Sequence, residues 1–156
     1  SIDGPMYIRL GKNGEPAVHH LNDMVVFGKA SVLRSGNDFA LITTGNMLEL
    51  GASWVNEWVD QGHDPEFISM HTIKPLDREI IVSLIDRKMN IVVLEEHSVL
   101  GGLGSAISEV IATFNTKVKL IECGIPDIYS HYVGSAKAIA QHYGLFKTPS
   151  IEKVGL

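Results

Sequence analysis

The 156 residues carry 13 Lys and Arg against 18 Asp and Glu, a formal net charge of −5, with 45% hydrophobic and 20% charged residues. A chain of this length closes a single domain with a sizeable core; its scattered basic residues form no stripe for nucleic acid, and apolar runs such as 80–82 and 91–94 fall far short of the about 20 residues that span a bilayer. The single cysteine, Cys123, excludes an internal disulfide and fits a reducing cytoplasm.

Residues 1–10 (SIDGPMYIRL) enter at once into a strand-like run, 6–10, without an initiating methionine. Residues 150–156 start another periodic segment at the other end. Both ends read as cuts from a longer polypeptide. Residues 11–16 (GKNGEP) are turn-rich and serve as a linker. Two short extended runs follow at 24–27 and 31–34, hinged at Gly28, then a turn at 35–38 and an apolar strand at 39–43.

From 46 to 60 the period changes: Met47, Leu50, Gly51, Trp54, Val55 and Trp58 recur at three- and four-residue spacing, which predicts an amphipathic helix stopped by Gly62 and Pro65. Residues 67–70 form the next strand. Asp77 is placed to cap a helix with Ile80, Ile81, Leu84 and Ile85 on one face. Residues 91–94 are apolar on both faces, as in a parallel strand covered by helices. A glycine turn at 101–104 leads into a helix marked by Ile107, Val110, Ile111 and Phe114. A strand at 118–121 and a helix at 135–143, closed by Gly144 in a left-handed cap, complete the series. This alternation predicts a three-layer α/β domain with a mostly parallel mixed sheet.

Gly101, Gly102 and Gly104 stand between a strand and a helix, where backbone amides cradle phosphate in nucleotide-binding folds. Glu122 even lies near the place of a ribose-binding acid. The fingerprint fails at its third position, where Ile107 replaces the small residue that lets helix and strand approach. A tight structural turn, its glycines free to take positive φ, is the better reading. Glu95, Glu96 and His97 follow the third strand at the sheet end where open α/β folds place ligands. Two carboxylates beside an imidazole can do acid–base work. Their consecutive positions point to opposite faces, and hydrogen bonding to the glycine turn or to a neighbouring subunit is the competing role. The seven histidines show no metal-ligand spacing: His19 and His20 are adjacent, and His63 and His71 flank a strand. Cys123 lacks a basic partner and reads as packing. Ser105 lacks the nucleophile elbow and reads as the N-cap of the following helix.

Four segments occur here in an order and spacing that resemble the C-terminal domain of transketolase-like, thiamine-diphosphate-dependent enzymes: 38–45 (DFALITTG), 71–77 (HTIKPLD), 93–109 (VLEEHSVLGGLGSAISE) and 124–127 (GIPD). The run from Glu95 through Ala106 is the most specific and is most similar to the small C-terminal subunit of split bacterial transketolases. Deoxyxylulose-phosphate synthases and the β subunits of 2-oxo acid dehydrogenases are the alternatives.

The resemblance implies residues 1–10 as the last strand of a preceding pyrimidine-binding domain, 11–36 as linker and short extended segments, and 37–156 as the C-terminal domain. It implies a non-catalytic assembly domain, without a cofactor of its own, in an enzyme that transfers two-carbon ketol units between sugar phosphates. Thiamine diphosphate and magnesium would be held by the other domains or an N-terminal subunit in a cytoplasmic homodimer. Arg9 matches the position of an arginine that contacts substrate phosphate in sugar-phosphate-using members; the other role open to it is a surface arginine closing a sheet edge. His97, Gly101, Gly102 and Gly104 are assigned to a structural turn or interface.

Overall fold

The computed structural model describes residues 3–10 and 25–155. The linker at 11–16, His19, His20 and Met24 lie outside the described residues. The strands are β1 (Ser31–Arg34), β2 (Phe39–Thr43), β3 (Glu66–Ser69), β4 (Asn90–Ser98) and β5 (Leu120–Ile125). They form one sheet of order β1-β3-β2-β4-β5, in which β1 runs antiparallel to β3 and every other pair is parallel. The helices are α1 (Leu48–Asp60), α2 (Arg78–Asp86), α3 (Leu103–Ile111), α4 (Ala136–His142) and α5 (Ile151–Val154), with a short 3₁₀ turn at Gly45–Met47 leading into α1.

Side-chain alternation along the strands divides the core into two halves. Ala40, Ile42, Ile91 and Val93 face α2 and α3 through Ile81, Leu84, Leu103, Ile107 and Val110. Phe39, Leu41, Val92 and Leu94 face the opposite layer through Trp54, Val55, Trp58, Ala140 and Val154. Covering both sheet faces is what makes the central strands continuously apolar. Phe39 meets Trp58 edge-on with ring centroids 4.9 Å apart. The Trp58 indole N–H donates to the Pro149 carbonyl at 3.0 Å, so this large buried side chain keeps its polar atom satisfied.

Local signals set the ends of the elements. The Asp77 carboxylate accepts from the Ile80 amide in the first turn of α2, and its second oxygen accepts from the Ala30 amide at 2.9 Å. Gly144 follows α4 at φ 77°. Some boundaries differ from the sequence reading. Residues 6–10 are exposed and pair with none of the described strands; the neighbours of the strand expected there would belong to the preceding domain. Residues 27–28 form a turn, with the Lys29 amide donating to the Val26 carbonyl, where an extended run to 27 was expected. β4 continues through Ser98, with its register against β5 shifting after Leu94, and β5 runs from 120 to 125 where 118–121 was expected.

Candidate functional site

β2 sits between β3 and β4, so the chain leaves β2 toward one side of the sheet and returns on the other. The C-terminal ends of β2 and β4 therefore flank the point where open α/β sheets place ligands. A cavity of about 420 Å³ opens there, lined by Asn46, Met47, Leu50, Glu96, Lys137 and Phe146 among others. A wider depression of about 650 Å³ lies at the opposite end of α1, among Glu57, Gln61, His63 and residues 148–152. Its larger volume counts for less than its position, which is remote from the strand ends.

Glu95 is the hinge of the site. Alternation along β4 turns it toward α3, and it is fully buried. Its carboxylate accepts from the backbone amides of Leu103 at 2.7 Å and Gly104 at 3.1 Å, the first two residues of α3. A buried carboxylate is stabilised by such amides and by the positive end of the helix dipole. The anion position that a phosphate would take at this glycine turn is thus occupied by a side chain of the protein itself. Ser105 is not the N-cap: Gly102 holds that place, and the Ser105 hydroxyl accepts from the Gly101 amide at 2.8 Å.

The glycines differ in why they are glycine. Gly101 alone of the three takes positive φ, at 78°. Gly102 has φ −101°, which any residue adopts; its hydrogen is required because a β-carbon would overlap Glu95 Oε2 and His97 Cε1. A β-carbon on Gly104 would overlap Glu122 Oε1. The expectation of positive φ at all three is corrected: at two of them the constraint is close approach of side chains.

His97 Nε2 lies 3.5 Å from Glu95 Oε2, and Nδ1 is 2.8 Å from the Ser98 carbonyl. A proton on Nδ1 donates to that carbonyl, and the contact with Glu95 becomes an ion pair when the ring carries a second proton. Glu122 stands beside Val93 in the β4–β5 ladder, on the same face as Glu95. Glu122 is exposed, yet partial desolvation, and then the charge of Glu95, shift its carboxyl upward from its ordinary value. Glu96 points to the other face. Its Oε2 receives a hydrogen bond from Arg9 Nη2 at 2.6 Å, with the two side chains 22% and 64% exposed.

His97, Gly102 and Gly104 are therefore brought together around Glu95, Gly101 turns instead onto Ser105, and Arg9 meets the next residue of the same strand. The sequence reading missed two partners, Glu122 against Gly104 and Glu96 as the ligand of Arg9. Strand order, absent from the linear pattern, brings Glu122 into place, and a contact across 87 residues brings Arg9 to Glu96. Burial also raises the Cys123 thiol, with Lys153 opposing the shift. Among the described residues no group of three or more His, Cys, Asp or Glu is placed to hold a metal ion. No helix among them is long and apolar enough to cross a membrane.

Residues 28–148 match the family model described as transketolase, C-terminal domain. The chain belongs to this family. The 6-deoxy-6-sulfo-D-fructose transketolase subunit of a Clostridium species (strain MSTE9) is 35% identical over 143 residues, covering 92% of this chain and 44% of the relative. A 1-deoxy-D-xylulose-5-phosphate synthase of Acidobacterium capsulatum is 29% identical over 154 residues, 97% of this chain and 24% of the relative. Among solved structures, a split gene transketolase described as an inactive β4 tetramer superposes with a TM-score of 0.83 at 31% identity, over 98% of this chain and 48% of that one. The chain thus spans less than half the length of these relatives, and its α/β fold is that of the split gene transketolase.

Proposed function

We propose that the chain is the C-terminal domain of a transketolase, itself non-catalytic, that supports assembly of an enzyme transferring two-carbon ketol units between sugar phosphates. The observation that carries this reading is the end-to-end match to a split transketolase subunit in both sequence and fold. The glycine turn at the N-terminus of α3 does not fit a diphosphate cofactor, because it is filled by Glu95. Thiamine diphosphate and magnesium are accordingly assigned to the remaining domains or an N-terminal subunit, which are also the proposed partners, within a cytoplasmic homodimer.

Arg9 is the substrate contact in this reading. It lies at the strand ends beside the switch point, where its guanidinium can grip phosphate oxygens in a forked, charge-assisted pair that lysine matches poorly. Remote phosphate binding then serves to orient the reacting carbon. Reconstitution is the test. The chain by itself is expected to show neither ketol transfer nor saturable heat with thiamine diphosphate and magnesium; added to the remaining domains it is expected to restore transfer. Cofactor binding by this chain alone would overturn the assignment.

The second reading, a domain of a deoxyxylulose-phosphate synthase, is favoured by the Acidobacterium relative. The reconstituted enzyme separates the two: ketol transfer to an aldose phosphate supports the first, and formation of 1-deoxy-D-xylulose 5-phosphate the second.

A further inference from the structure

We propose that Glu96 is a positioning residue for substrate phosphate: it holds the guanidinium of Arg9 at the mouth of the switch-point cavity. This inference rests on the reading of Arg9 as the phosphate contact and adds a role for β4 in it. Arg9 belongs to a segment, 3–10, with no ladder partner among the described strands, and its side chain is 64% exposed. A long side chain on such a segment samples many rotamers, and each must be given up when phosphate binds.

Glu96 supplies the missing order. It is 22% exposed and stands on β4, where the preceding residue is fixed by two α3 amides. Its carboxylate takes one N–H of Arg9, on Nη2. A guanidinium has five N–H donors in a rigid fork, so four others are left to the substrate. An exposed ion pair contributes little to folding, and the contact spans 87 residues of sequence. Its consequence is a preset direction for Arg9. Glu96 also lines the cavity, which puts the preset arm beside the space a sugar phosphate would enter.

The test uses the enzyme assembled from this chain and its remaining domains, with ribose 5-phosphate and ribose as acceptor probes. Arg9→Ala, Glu96→Ala, Glu96→Gln and the Arg9→Ala/Glu96→Ala double variant are compared. Glu96→Ala is expected to raise KM for ribose 5-phosphate about 3- to 10-fold, the loss of one preordered side chain, with kcat and the ribose KM unchanged. Glu96→Gln, which keeps an oxygen acceptor in the same shape, should recover part of that loss. The double variant should be no worse than Arg9→Ala, because Glu96 acts through Arg9. Equal losses with both acceptors, tighter binding of ribose 5-phosphate, or full additivity with Arg9→Ala would each overturn the role of Glu96. A selective loss in Arg9→Ala with none in Glu96→Ala or Glu96→Gln overturns Glu96 alone. No selectivity in Arg9→Ala removes the phosphate reading and the inference with it.

Discussion

Replacing Gly102 by alanine isolates the contact on which the candidate site is built. At φ −101° alanine has no backbone objection, so the whole cost comes from its β-carbon, which overlaps Glu95 Oε2 and His97 Cε1. The overlap is relieved only if Glu95 moves, and Glu95 is buried with its carboxylate bonded to the amides of Leu103 and Gly104. A hydrogen bond to a charged group contributes about 1.5–3 kcal/mol, and overpacking by one methyl group costs about 1–3 kcal/mol. Partial loss of the amide pair together with local strain gives an expected destabilisation of about 2–4 kcal/mol. At about 2–4 °C per kcal/mol for a chain of this size, the melting temperature should fall by about 4–16 °C.

Gly101→Ala is the comparison. Its φ is 78°, yet a β-carbon there meets nothing within 4 Å. It should cost about 1–2 kcal/mol through left-handed backbone alone. Urea unfolding of both variants and of Gly102→Ala/Glu95→Ala provides the measurement. If Gly102→Ala unfolds with the parent chain, or its cost adds fully to that of Glu95→Ala, the contact does not act as described.

The other predictions concern titration, capping and reactivity. Glu122 has its carboxyl raised by partial desolvation and by Glu95, so the folded protein binds more protons than the unfolded chain just above the ordinary glutamate pKa of about 4.3. Stability conferred by the protonated form is therefore lost as pH rises through that window, and Glu122→Gln should flatten the fall in urea midpoints, most clearly at low salt. Asp77→Ala should destabilise by about 1–3 kcal/mol in the same assay, through loss of the α2 cap and of the acceptor for Ala30. Cys123 should alkylate with iodoacetamide more slowly than a free thiol, with its reaction profile displaced to higher pH; a rate equal to that of glutathione at neutral pH would contradict its half-buried setting.

The sequence alone determined most of the layer structure, because the signals concerned are local. Trp54, Val55 and Trp58 announce α1 by their spacing, the apolar run at 91–94 announces a strand covered on both faces, and Asp77 and Gly144 mark helix ends by chemistry that acts within one turn. The motif from Glu95 to Ala106 also carried the family, since its residues are contiguous. What only the tertiary structure decided are the relations between segments. Pairing of β4 with β5 sets Glu122 beside Val93 and against Gly104, and burial of Glu95 under α3 makes Gly102 necessary for its size. Residues 6–10 have the composition of a strand, and a strand takes its hydrogen bonds from a neighbour that none of the described strands supplies. The pairing of Arg9 with Glu96 crosses 87 residues, and neither residue carries any local mark of the other. Periodicity reports which face of an element is apolar; it contains no term for which element will lie against that face, and the site is made from those juxtapositions.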